Sequence, residues 1–222
     1  MKKLWYITFI ISITSIACSK KSNPSPGTTG TVSIAGSTYN TVVIGNQSWT
    51  VQNYAGPGGT PNPRSDFDAM GKFYLLTEVK ALTLPAGWRV PTEADFMNLL
   101  NSQGKVTNNG NGSISVDSVG ASHLRATNYW GIPGDNSSGF NALPVGDYNS
   151  YVNIFPNFNA YATFWSSTPG TNQVDTPSQC TLIISGYRTS TGTGRMPVDG
   201  AYINEIGSAK VQGYSLRFVK DN

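Results

Sequence analysis

Fourteen uncharged, mostly apolar residues, Leu4 to Ala17, follow Lys2 and Lys3 and stop at Cys18. This run decides how much of the chain is free to fold. A helix needs about 20 apolar residues to cross a bilayer, so the run is too short to span one. A basic start, a short apolar stretch and small residues before a cleavage point are the pattern of a secretory signal, expected over residues 1–17. Residues 18–30, with Asn-Pro-Ser-Pro-Gly-Thr-Thr-Gly at their end, read as a flexible tether that cannot bury a core. The folding unit is therefore expected at residues 31–222, about 190 residues, which is one ordinary domain with a single core.

The segment Ser15-Ile16-Ala17-Cys18 resembles the lipobox of bacterial lipoproteins. The resemblance implies that Cys18 is the site of lipid attachment. It also implies that the protein sits in the cell envelope, held at a membrane by that lipid. The outer membrane is the expectation, with its surface and periplasmic faces both open. An ordinary secreted cysteine behind a cleaved signal is the alternative. If Cys18 carries lipid, Cys180 stands alone and no intrachain disulfide can form. Cys180 opens the apolar run Cys180-Thr181-Leu182-Ile183-Ile184 and reads as a small buried hydrophobe.

The formal charge of +3 misleads, because Lys2 and Lys3 leave with the signal and Lys20 and Lys21 lie in the tether, so the domain carries −1. A near-neutral domain gives no electrostatic case for binding nucleic acid. Gly, Pro, Asn, Ser and Thr are abundant, which suits short strands and ordered turns.

Local patterns place a few elements. Thr41 to Ile44 and Gln47 to Val51 are expected to form a hairpin about Gly45-Asn46, with Gly at the first turn position suiting type II′. Thr92 is a good N-cap, with Asp95 three residues on completing a capping box. Phe96, Leu99 and Leu100 form the apolar stripe of the helix that follows, which Gly104 ends. Thr77–Leu82 and Val119–Ala126 read as shorter helical pieces. Lys72–Leu76, Thr163–Ser166, Thr181–Ser185 and Tyr214–Val219 read as strands. In the last, Tyr214, Leu216 and Phe218 alternate with Ser215 and Arg217, the pattern of a half-buried strand. Residues 128–159 read as long ordered loops.

Six segments stand in a recognisable order. They are Ile44-Gly45-Asn46-Gln47-Ser48-Trp49 with Gln52-Asn53, Gly71-Lys72-Phe73-Tyr74, Leu84 to Phe96, Gly139 to Gly146, Phe164-Trp165-Ser166-Ser167-Thr168, and Tyr214 to Asp221. The series resembles the Fibrobacter succinogenes major paralogous (FISUMP) domain over Val32 to Asp221. The resemblance implies an envelope protein with an α+β fold: a single compact C-type-lectin-like domain, akin to the formylglycine-generating enzymes, with short strands, one or two helices and long ordered loops. It brings no reaction with it. The enzyme branch of that wider fold uses a cysteine pair, and with Cys18 given to lipid this chain has one cysteine to offer; the calcium-placing Glu-Pro-Asn and Gln-Pro-Asp motifs of sugar-binding lectins do not occur.

The residues themselves offer little chemistry. His123 is the single histidine, and no His, Cys or Glu stands at ligand spacing from it. A glycosidase needs two carboxylates about 5–9.5 Å apart. Asp135 with Asp147 is one such pair that sequence leaves open. Asp66-Phe67-Asp68 and Asp135-Asn136-Ser137-Ser138 have oxygens for calcium, with plain Asx-turns as the simpler reading. No metal and no cofactor is expected. Trp49, Trp88 and Trp165 read as core, and Arg89 and Arg217 as partners of carboxylates or loop carbonyls.

One region is a candidate for binding. Tyr129, Trp130, Tyr148, Tyr151, Phe155, Phe158 and Tyr161 crowd together among Asn, Asp and Ser. Flat rings beside amides and carboxylates suit a sugar, whose C–H faces stack while its hydroxyls reach polar groups. The candidate ligand-binding residues are Trp130, Asp135, Tyr148, Asn149 and Tyr151. The expected function is a non-enzymatic envelope module that binds a glycan or another surface molecule, such as an envelope protein. An envelope carbohydrate hydrolase and a structural or assembly component are the alternatives.

Overall fold

The computed structural model describes residues 29–64, 70–110, 113–172, 177–187 and 199–222. The expected signal, the tether, Cys18, Asp66, Asp68 and Asp175 lie outside the described residues. In chain order the strands are β1 (Gly30–Ile34), β2 (Ser37–Ile44), β3 (Gln47–Thr50), β4 (Thr60–Pro61), β5 (Lys72–Leu75), β6 (Thr107–Asn108), β7 (Ile114–Val116), β8 (Tyr148–Asn149), β9 (Tyr161–Pro169), β10 (Gln179–Gly186), β11 (Asp199–Ile206), β12 (Gln212–Tyr214) and β13 (Val219–Asp221). The helices are α1 (Leu76–Lys80), α2 (Glu93–Gln103) and α3 (Ser118–Leu124). The strands form three antiparallel sheets, ordered β1-β2-β3-β13, β6-β7-β11-β10-β9 and β4-β5-β12-β8.

The expectation of an α+β, C-type-lectin-like domain is corrected by this architecture, which is mostly β. Only α2, at 11 residues, is longer than two turns; α1 and α3 have 5 and 7. Strands also form where local pattern marks none, at β1, β7, β8 and β11. Most of these pair with distant segments. In β11, for example, Tyr202 lies opposite both Ile183 and Ser115. Strand pairing of that kind is settled by partners, and a window of a few residues does not contain them.

Where the hydrogen bonds are local, the expected elements form. Gly45 adopts φ 62° between β2 and β3, while Asn46 stays out of the left-handed region, as a type II′ turn requires. The Thr92 side chain accepts from Asp95 N, and Asp95 Oδ2 accepts from Thr92 N at 2.8 Å, closing the capping box of α2. Phe96, Leu99 and Leu100 pack from α2 onto Ala162, Phe164, Leu182, Ile184, Ala201 and Ile203, the inner face of the five-stranded sheet. A second cluster around Tyr54, Tyr74, Trp165, Leu216 and Phe218 holds the other two sheets together. Trp49 and Trp165 are fully buried, whereas Trp88 is only partly buried against that second cluster.

The segment 214–219 departs from its alternating pattern. It splits between β12 and β13, and the polar Ser215 and Arg217 are as buried as their apolar neighbours. Arg217 is held by neutral oxygens, with no carboxylate among its hydrogen-bond partners in the described residues. Its Nε donates to Asn53 Oδ1 at 2.7 Å, Nη1 to the carbonyls of Thr50 and Phe140 at 2.8 and 2.9 Å, and Nη2 to Asn141 O at 3.1 Å. Burial pulls its pKa down to about 9, which still leaves it charged at neutral pH. Four oxygens from two separate segments, 50–53 and 140–141, meet on one guanidinium, which ties the 140–141 loop to the strand ends.

Candidate binding surface

Residues 128–161 divide into a buried set and an exposed set. Trp130 is buried, and its Nε1 donates to Ala142 O at 2.9 Å. Tyr148 is buried as well, stacked on Phe155 with ring centroids 4.8 Å apart. Both rings are thus spent inside the fold. Asn149 and Tyr151 sit on a tight hairpin beyond β8, where Asn149 Oδ1 accepts from Tyr151 N at 3.0 Å and Val152 N at 3.3 Å. The Tyr151 ring stands 84% exposed, beside the exposed apolar side chains of Val152 and Ile154. Asp135 lies elsewhere, at the end of α3. Its Oδ1 accepts from Ser137 N at 2.8 Å and its Oδ2 from Ser122 Oγ at 3.1 Å, an Asx-turn. Burial works to raise its pKa, but the bonds from Ser137 and Ser122 outweigh it and hold the carboxyl below its ordinary value. The five candidates therefore do not converge on one pocket.

A different grouping forms at the outer edge of β9. Gly146 runs beside this strand, with its N–H donating to Tyr161 O at 2.9 Å. It adopts φ 75°, and a Cβ there would stand 2.2 Å from Pro156 O, so only glycine brings the chain this close. The next residue, Asp147, is delivered against the sheet. Its Oδ1 accepts from Thr163 Oγ1 at 2.8 Å and its Oδ2 from Asn157 Nδ2 at 2.6 Å. Burial nonetheless raises its pKa, because both partners are neutral donors. Tyr161, Tyr202 and Tyr214 are its electrostatic neighbours; burial first raises the pKa of each, followed by the Asp147 charge at Tyr161 and Tyr214 and by Tyr161 and then Asp147 at Tyr202. Asp135 shares no partner with Asp147.

Next to this group two tyrosines face outward. Tyr129 is 45% exposed and Tyr187 is 46% exposed. Tyr129 holds a left-handed backbone at φ 68°, a rare and strained state for a bulky residue. Gly131, two residues after Tyr129, donates its N–H to Asn159 O at 3.3 Å, and a Cβ on it would lie 3.9 Å from the Tyr187 ring. Tyr187 is also an electrostatic neighbour of Tyr161. Tyr187 thus lies near both Tyr161 and the segment of the exposed Asn159. Sequence reasoning passes over Thr163 and Tyr202, which sit in apolar runs, and over Tyr187, which stands among polar residues far from the aromatic region 128–161.

Other polar groups are committed to structure. Cys180 is buried, its Sγ 3.7 Å from Glu93 Oε2, and burial followed by the Glu93 charge pushes its thiol up to about 11. His123 Nε2 lies 3.9 Å from Asp135 Oδ2 on the surface of α3. Arg125, buried in the core, pairs with Asp199 and donates to Ser185 O at 2.7 Å. Among the described residues no three His, Cys, Asp or Glu side chains come together.

The model of the Fibrobacter succinogenes major domain matches residues 42–220. No curated protein and no solved structure matches the chain significantly, so the kinship to C-type lectins and formylglycine-generating enzymes gains no support.

Proposed function

We propose that this chain, which belongs to the Fibrobacter succinogenes major domain family, is a lipid-anchored envelope protein whose domain binds a glycan or another surface molecule without transforming it. The observation that carries this reading is the half-exposed Tyr187 ring beside Gly131 and Asn159, with the half-exposed Tyr129 two residues before that glycine. Half-exposed rings offer stacking surfaces, and neighbouring amides offer hydrogen bonds to hydroxyls. Tyr129 also holds a left-handed backbone at a half-exposed position, the kind of strain that gathers at functional sites. A hydrolase would need a second carboxylate across a cleft from the first. Among the described residues, Asp147 is faced by phenols, an amide and a hydroxyl instead.

In this reading the lipid on Cys18 holds the domain at the membrane, with the outer membrane as its place. Cys18→Ala should move the protein from the membrane fraction to the soluble one; retention would remove the anchor from the proposal. Binding is tested on a glycan array. Affinity is expected at about micromolar to millimolar, as for shallow sites with few desolvated contacts. Tyr129→Ala and Tyr187→Ala should each abolish the signal in folded protein. A silent array, or binding that survives both changes, would turn the reading toward a structural or assembly role.

A further inference from the structure

What the surroundings of Asp147 lack is a cation. Its two oxygens accept from Thr163 and Asn157, both neutral, and its electrostatic neighbours are the phenols of Tyr161, Tyr202 and Tyr214. Among the described residues no Lys, Arg or His pairs with it. Two other aspartates that the fold draws in are each met by arginine, Asp95 by Arg89 and Asp199 by Arg125.

A second observation is independent of the first. The Tyr202 hydroxyl is buried and has no hydrogen-bond partner, an arrangement that folded proteins rarely leave without a use. Strand register brings it to the same place. Thr163 lies opposite Ile183 on β10, and Ile183 lies opposite Tyr202 on β11. Side chains opposite one another point to the same face, so Thr163 and Tyr202 share that face two strand spacings apart, about 10 Å. Tyr161, two residues before Thr163 on β9, joins them. Asp147 and Tyr161 are only half-buried, so the group is open to solvent, and Tyr187 is an electrostatic neighbour of Tyr161.

We propose that Asp147, Tyr161 and Tyr202 bind an organic ammonium group, which on the glycan reading above is the free amine of an amino sugar. The carboxylate supplies a charge-assisted hydrogen bond. The phenol rings offer their negative faces to the cation. The Tyr202 oxygen accepts a further N–H and gains the partner it lacks. The choice of an amino sugar rests on the proposed glycan function; the ammonium site itself does not.

The test titrates the full chain at pH 7 with glucosamine, with N-acetylglucosamine as the neutral counterpart and with Nα-acetyl-lysine amide as a peptide-type amine, followed by calorimetry or NMR. Glucosamine is expected to bind at least tenfold more tightly than N-acetylglucosamine. Asp147→Asn should lose at least tenfold and Tyr202→Phe about fivefold, both in protein whose unfolding curve shows it intact. Affinity should rise with pH as Asp147 ionises, with the phenols of Tyr161, Tyr202 and Tyr214 staying neutral. Equal binding of the lysine amide would support the ammonium site and remove the amino sugar. Equal binding of N-acetylglucosamine, lost in Tyr187→Ala but not in Asp147→Asn, would overturn the ammonium site and leave the glycan reading standing. Failure of both amines to bind, or amine binding that survives Asp147→Asn, would also overturn it.

Discussion

Asp95, at the start of α2, and Asp147, at the edge of β9, are both aspartates drawn into the fold, and their carboxyls are pushed in opposite directions. At Asp95 burial works to raise the pKa, but bonds from Arg89 at 2.7 and 3.1 Å, from Thr92 and from Gln47 at 2.6 Å outweigh it. At Asp147 burial meets only an amide and a hydroxyl, and burial wins. The difference teaches that the balance of burial against donors sets the state of a buried acid. Asp95 accepts five bonds, two of them from a guanidinium, whereas Asp147 accepts two from neutral groups. Asp95 is a structural joint: Arg89 also reaches Asp221 at 2.8 Å, so α2 and β13 are tied through one guanidinium. Asp147 is left under-compensated at a half-open surface, which is where pKa shifts of this kind accompany function.

The comparison can be broken at several points. Asp95→Ala should have the largest effect, a loss of about 3 kcal/mol in chemical denaturation, since it removes a cap and orphans the partners of a buried charge. A loss under 1 kcal/mol would mean that Asp95 is no joint. Arg89→Met comes next, at about 2 kcal/mol, the usual scale of charge-assisted bonds. It should also bring the Asp95 carboxyl back toward its ordinary value, which carbon-detected NMR titration would read. Thr163→Val keeps the shape and removes one donor to Asp147. A cost near 1 kcal/mol is expected, with the Asp147 titration moving still higher.

Asp147→Asn should have the smallest effect at neutral pH, within about 1 kcal/mol of the parent and on the stabilising side. Its signature lies in pH dependence. Asp95 titrates below its unfolded value of about 4, so its contribution is present above that pH and is lost as pH falls through the folded value. Asp147 titrates above its unfolded value, so its contribution is complete below about pH 4 and declines as pH rises through the folded value. The Asn variant should lack that decline and match the parent only at the acid end. A loss above 2 kcal/mol at pH 7 would show that the ionised Asp147 is held by a cation after all, and the contrast with Asp95 would collapse.

The two aspartates also differ in how legible they are. Asp95 stands three residues from its cap partner and six from Arg89, so its role can be read from Thr92-Glu93-Ala94-Asp95. Asp147 looks like any loop aspartate, because Thr163 is 16 residues away and Tyr202 lies on a different strand. The five binding candidates read from residues 128–161 share that problem. Aromatic density marks the region, but it does not say which rings turn inward, and Trp130 and Tyr148 do. Tyr129 and Tyr187 face outward because a strained backbone and a strand end place them so.

Sequence by itself determined the elements whose hydrogen bonds close within a few residues: the Gly45-Asn46 turn, the capped helix α2 and the short helices α1 and α3. It also carried the family motifs, because buried Trp49, Trp165 and Arg217 need their Gly, Pro and Asn neighbours in order. Tertiary structure alone decided that the domain is mostly β, that Arg217 is buried on carbonyls, and that Asp147 meets tyrosines and neutral donors with no cation among the described residues. The physical reason is range. A cap or a turn is satisfied by its own neighbours, whereas a strand's partner, a buried charge's compensation and a ring's exposure depend on segments brought together only when the whole core closes.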